Sequence, residues 1–211
     1  MKEFYGLISK KMLEKPFRYD FYNYPFNKHM FSGYMLIGHN PGNRLCAEQA
    51  EEIFKSRCCP EELSKVSRKW LVKYFEPKVY WNDFVSIFDS GQKFSEDFFK
   101  RFYFTDIIKD RTRNTPEEED LEILKKEMES VKPQHILAFG RNAFWVVKRC
   151  LEELSDCNFQ VGKKRESIEI WNSIEGRAIK LCYLPHYSNR AAHCHPTKQS
   201  LLWLKKSLSS Q

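Results

Sequence analysis

Tyr34-Met35-Leu36-Ile37-Gly38-His39-Asn40-Pro41-Gly42 is the stretch on which the reading of the fold turns. An unbroken apolar run stops at a glycine, and a turn-forming Asn-Pro-Gly follows. A strand with one wet face alternates apolar and polar residues. A strand covered on both faces carries a continuous apolar run, as in a parallel sheet sandwiched by helices. The same form recurs downstream in Phe102-Tyr103-Phe104-Thr105-Asp106-Ile107-Ile108, in His135-Ile136-Leu137-Ala138-Phe139 before Gly140, and from Ala178 to Leu184 before Pro185-His186.

Helical patterns separate these runs. Residues 45–75 read as mainly helical, interrupted around Cys58-Cys59-Pro60. A further helix is expected to start at Thr115 as N-cap, with Pro116 in the first helical position and Glu118 completing a capping box. The acidic run Glu117 to Asp120 reads as solvated charge that complements the helix dipole. Leu121, Leu124, Met128 and Val131 mark the buried face, and Pro133 ends the helix. Residues 142–154 and 197–208 form the remaining helices, the last capped by Thr197. Residues 76–101 show no clear period, and 167–176 read as a hairpin-like excursion. Alternating strands and helices predict an α/β fold: a three-layer α/β/α domain around a central four-stranded parallel sheet. The domain spans residues 34–211. Residues 1–33, aromatic, basic and broken by Pro16 and Pro25, are expected to form an N-terminal arm packed on the core.

Composition narrows the function. The chain has 211 residues, 42% hydrophobic and 15% aromatic. That apolar content excludes a largely disordered chain, and the length suffices for a core without disulfide staples. No apolar run approaches the ~20 residues that cross a bilayer, so no membrane partner is expected. Met1 to Tyr5 open no secretory signal, and the seven cysteines include no C-x-x-C. Reduced thiols in a cytoplasmic or nuclear setting follow. His193, Cys194 and His195 with Cys58 and Cys59 do not have the spacing of a structural zinc site, so neither metal nor cofactor is expected. A net charge of +7 favours a polyanion or an anionic substrate. A monomer is expected.

In open parallel sheets, ligands gather beyond the carboxyl ends of the strands. Polar clusters fall there after all four strands: His39-Asn40-Pro41-Gly42, Asp106 with Lys109, Gly140-Arg141-Asn142, and His186-Tyr187-Ser188-Asn189-Arg190. Singly, each has a plain structural reading, as a common turn or a satisfied strand-end histidine. Their joint placement makes them candidates. Asn142, near a helix N-terminus, is suited to a phosphate contact.

These clusters resemble the motifs of the uracil-DNA glycosylase superfamily. Gly38-His39-Asn40-Pro41-Gly42 is similar to its first motif, G-x-N-P-G, as in the single-strand-selective and mismatch-directed branches. Thr105 to Arg111, Thr115-Pro116-Glu117-Glu118 and Leu137-Ala138-Phe139-Gly140-Arg141-Asn142-Ala143 resemble the middle of its thermophile-type branch. His186-Tyr187-Ser188-Asn189-Arg190 resembles the second motif, H-P-S-x-R-N, with Tyr187 for Pro and Ala191 for Asn. The resemblance runs over roughly residues 34–208 and implies hydrolysis of the N-glycosidic bond of a base flipped out of DNA. It assigns Asn40 to hold the attacking water and His186 to donate a hydrogen bond to the leaving base. Gly38, Pro41 and Gly42 shape the base pocket, and Phe54 stacks on the base. His39 either assists the water or bonds a strand-end carbonyl. Ser188, Asn189, Arg190, Asn142 and Lys198 grip DNA, damaged or uracil-containing, single- or double-stranded.

The departures matter as much. Asp106 stands where the family usually has the Asn that reads uracil. A carboxamide accepts from N3–H and donates to O4, whereas an ionised carboxylate only accepts. Either Asp106 carries a proton, or the preferred base presents two donors. The four cysteines of the thermophile-type iron–sulfur cluster have no counterpart: none precedes Cys46, and Asp110 occupies one ligand position. No lysine lies in either motif, which favours water over a Schiff base. Two rival readings stand beside the monofunctional glycosylase: a non-catalytic nucleic-acid-binding module on the same scaffold, and a hydrolase of free nucleotides.

Overall fold

The computed structural model describes residues 33–39, 47–56, 59–75, 79–89, 98, 102–109, 113–163, 166–173, 177–185 and 198–209. The elements run β1 (Tyr34–Gly38), α1 (Ala47–Ser56), α2 (Pro60–Phe75), α3 (Val79–Phe88), β2 (Phe102–Asp106), α4 (Glu118–Val131), β3 (His135–Phe139), α5 (Arg141–Leu154), β4 (Ser155–Lys163), β5 (Glu166–Ser173), β6 (Ala178–Leu184) and α6 (Lys198–Ser209). The expected N-terminal arm, residues 1–33, lies outside the described residues apart from Gly33. Among the described residues, no helix is long and apolar enough to cross a membrane.

The strands lie in the order β2-β1-β3-β6-β5-β4. The four expected strands, β2, β1, β3 and β6, pair in parallel. The sheet is larger than the four strands read from sequence. β5 pairs antiparallel with β6, and β4 with β5, so a hairpin extends the sheet. β4 follows α5 with no connecting residue, which hides its start in the sequence. Ile168, Ile170 and Trp171 of β5 are buried, so the hairpin belongs to the core.

Both faces of the parallel strands are covered, as their unbroken apolar runs require. Leu36, Phe102, Phe104, Leu137, Phe139, Cys182 and Leu184 pack on one face with Trp81, Phe84, Val85 and Ile87 of α3 and Leu201, Leu204 and Leu208 of α6. Met35, Ile37, Tyr103, Ile136, Ala138 and Leu181 face the other way, against Leu121, Leu124 and Met128 of α4 and Ala143, Phe144 and Val147 of α5. This is the three-layer arrangement. Each large apolar side chain buried in it contributes about 1.5–3 kcal/mol.

Two local readings need correction. The stretch without a clear period contains α3, whose Trp81 ring meets Phe139 at 5.3 Å and Phe84 at 5.6 Å between centroids. α4 begins at Glu118 rather than Thr115, with Glu117 as N-cap. The Asp120 side chain accepts the Glu117 N–H at 2.9 Å. So Asp120 is not part of a solvated charge run: it is 1% exposed.

The connections locate a crevice. From β1 the chain passes through α3 on one face to reach β2. From β3 it passes through α5 on the other face to reach β6. Adjacent strands whose connections leave in opposite directions part at their carboxyl ends, and this is where open α/β sheets bind ligands. The crevice therefore lies between the ends of β1 and β3.

Candidate active site

At the crevice, Gly38 of β1 stands in register with Asp106 of β2. The pairing continues past both strands: the Ile107 N–H donates to Gly38 O and the Ile108 N–H to His39 O, each at 3.1 Å. The end of the sheet is thus zipped closed on this side, and Asp106 is 1% exposed within it. His39, half-buried, has Nε2 3.3 Å from the carbonyl oxygen of Asn114. A carbonyl only accepts, so Nε2 is the donor in this contact. The ring ties β1 to the loop that leads into α4.

A buried ionic cluster holds β2 against α4. Lys109 Nζ donates to Glu127 Oε2, to Thr105 Oγ1 and to the Asp106 carbonyl, each at 2.6 Å. Glu127 Oε1 accepts from Tyr103 Oη at 2.8 Å and from Thr105 Oγ1 at 2.9 Å. An ammonium has three protons, so Lys109 is fully used. One turn below the N-cap, Asp120 accepts the Lys109 backbone N–H at 3.0 Å and grips Arg113 through both carboxylate oxygens, at 2.8 and 2.9 Å. Glu127 and Asp120 lie seven residues apart, on the apolar side of α4, and both are buried. Sequence reading missed them. The available signal was that spacing, which puts two acids beside Leu121, Leu124 and Met128 rather than on the opposite face.

Across the crevice, Gly140 joins β3 to α5. Its N–H donates to Leu184 O at 2.7 Å, tying the end of β3 to the end of β6. Its φ is +92°, a conformation that favours glycine. Arg141 and Asn142 follow, exposed in the first turn of α5, and Lys198 is exposed at the start of α6. His39 directly follows β1 and Pro185 directly follows β6, the two strands that flank β3, so both stand at the same edge of the sheet. Asn40, Pro41, Gly42, His186, Ser188, Asn189 and Arg190 lie outside the described residues. Phe54 is in α1, but its side chain also lies outside them. Among the described residues, no cluster of three or more His, Cys, Asp or Glu is placed to hold a metal ion.

The sequence model of the uracil DNA glycosylase superfamily matches residues 28–207, from ahead of β1 into α6. The chain belongs to the uracil DNA glycosylase superfamily. Comparison with curated proteins and with solved structures gave no match. Membership carries the general activity: this superfamily member is a hydrolase of the DNA glycosylase class, with DNA as its partner in base-excision repair. The Lys109–Glu127 cluster fixes the end of β2, the residue Asp106 included, through the hydrogen bond from Lys109 Nζ to the Asp106 carbonyl.

Proposed function

We propose that this superfamily member is a monofunctional DNA glycosylase that hydrolyses the N-glycosidic bond of a flipped-out uracil or other damaged base. The observation that carries the reading is the Gly38–Asp106 register at the carboxyl edge, beside the crevice where β1 and β3 part. The reaction passes through an oxocarbenium-like sugar while negative charge grows on the departing base. It needs a held water and a donor to the base oxyanion. Asn40 serves the first need and His186 the second. His39 steadies the start of the Asn40 segment through Asn114, and when the ring is neutral its Nδ1 is a further acceptor for a water proton. Gly38, Pro41 and Gly42 line the base pocket, Phe54 stacks on the base and Asp106 reads its edge. Asn142, Lys198, Ser188, Asn189 and Arg190 hold the DNA backbone.

Full commitment of the Lys109 ammonium to three internal acceptors supports hydrolysis by water, because that amine is not free to form a Schiff base. The test is an abasic-site assay over oligonucleotides carrying uracil, hypoxanthine, xanthine or alkylated bases. Abasic product over many turnovers is expected. Asn40→Ala and His186→Ala are each expected to lose at least ~100-fold, the scale of removing a preorganised donor. Tight DNA binding with no abasic product on any base would replace this reading with the non-catalytic module.

A further inference from the structure

α5 carries a surface that neither the core nor the base pocket uses. Trp145 is 53% exposed; Leu202 at 50% is the other exposed large apolar side chain among the described residues. Arg141 and Arg149, both exposed, lie one turn to either side of Trp145 on the same helix face. The helix starts directly after β3, so the Arg–Trp–Arg stripe begins at the crevice and leads away from it.

The indole is held in place rather than left loose. Lys148 Nζ lies 5.4 Å from the Trp145 ring centroid and 5.9 Å from that of Trp171. Lys148 is itself fixed by Glu169 Oε1 at 3.0 Å, and Glu169 is buried. Phe144 meets the Trp145 ring edge-on at 6.0 Å. A fixed aromatic with more than half its surface in water presents a stacking face at small entropic cost. Arg149 has two acidic neighbours: Glu118 at 4.0 Å, with both side chains mostly exposed, and Glu153 one turn further along α5, whose carboxyl is held below the usual range by Lys125 and, to a lesser degree, by the Arg149 charge. Ion pairs so exposed are screened by water and salt and yield readily to a phosphate. Arg141 sits at the positive end of the helix dipole, where a cation is unfavourable, so helix stability does not account for it.

We propose that the Arg141–Trp145–Arg149 stripe is a platform for unpaired DNA: a base of the strand flanking the extruded nucleotide stacks on Trp145, and the two arginines take the phosphates on either side. Aromatic stacking between basic groups is how proteins hold single strands without reading sequence, and a duplex offers no free base face to such a ring. The proposal rests on DNA being the substrate and deepens it: the platform biases the enzyme toward single-stranded or locally open sites.

The test uses the full chain, a fluorescein-labelled oligothymidylate, and the same strand annealed to its complement, with binding followed by anisotropy. Trp145→Ala is expected to weaken single-strand binding roughly 5- to 150-fold, the range spanned by base–aromatic stacking. Duplex binding changes little, and Trp145→Phe retains most of the single-strand affinity. Arg141→Gln and Arg149→Gln should each reduce the salt slope of single-strand binding by about 0.7. Trp145→Ala with wild-type single-strand affinity, or with equal losses on both forms, overturns the platform. Abasic-site formation is measured in parallel. No product on any base, with the selective single-strand loss intact, defeats the glycosylase reading and leaves the platform standing. Product formation with unaltered single-strand affinity in Trp145→Ala defeats the platform alone.

Discussion

Lys109 places its ammonium 2.6 Å from Glu127 Oε2, with both side chains buried between the end of β2 and α4. A buried pair adds little over a well-packed apolar substitute, but removing one partner strands the other charge at about 3–5 kcal/mol. Lys109→Met is therefore expected to cost roughly that much, seen as a lower urea midpoint with an unchanged slope. Adding Glu127→Gln removes the stranded charge while keeping an acceptor for Tyr103 and Thr105, so the double variant should recover a large part of the loss. Equal midpoints for the single and double variants would show that the pair does not act as a unit.

Gly140 makes the turn from β3 into α5 at φ +92° while its N–H bonds Leu184 O. An L side chain is strained there by about 1–2 kcal/mol. Gly140→Ala should lower the melting temperature by about 2–8 °C, given ~2–4 °C per kcal/mol for a chain of this size. An unchanged melting temperature would mean that the turn relaxes without loss.

The parallel strands were legible because burial on both faces leaves no room for alternation: Met35 and Ile37 face one layer, Leu36 the other. The hairpin was less so, although Ile168 and Ile170 share a face of β5, because Leu154 passes directly into β4 and the helical pattern runs up to that point. α3 escaped because Trp81, Phe84, Val85 and Ile87 are buried and Phe88 half-buried, which blurs any single apolar stripe. The positions of Gly38, His39 and Asp106 at the carboxyl ends of β1 and β2 were legible from where the apolar runs stop. Asp120 and Glu127 were not: a buried acid is explained by its partner, and Lys109 is eighteen residues from Glu127 in sequence.

His135 opens β3, stacked on the Tyr34 ring at 4.5 Å, and burial, helped by the nearby Lys180 cation, lowers its pKa to about 4. The folded ring is therefore neutral at neutral pH. Between about 4 and the ordinary 6.5, the unfolded chain binds a proton that the folded chain does not, so stability rises with pH in that window. The contribution is fully present above 6.5 and is lost as pH falls toward 4. His135→Phe preserves the stack and removes the titration. Its urea midpoint should fall less than the wild type's between pH 6.5 and 4. Parallel curves for the two proteins would show that other groups set the acid limit.

Asp106 is 1% exposed at the end of β2, in register with Gly38 where the first motif begins. A carboxylate there accepts from a base edge and has no proton for O4 of uracil. Polar mismatch in a buried site costs up to ~10⁴–10⁵ in discrimination, so wild-type protein should excise uracil poorly against a base that presents two donors. Asp106→Asn restores the donor and should shift the kcat/KM ratio toward uracil by at least ~100-fold. The pH profile separates the protonated alternative. If Asp106 donates as the neutral acid, wild-type uracil excision falls as pH rises through its titration, whereas the Asn variant keeps its rate. Clean uracil selectivity in the wild type, unaltered in Asp106→Asn across the pH range, would remove Asp106 from base reading.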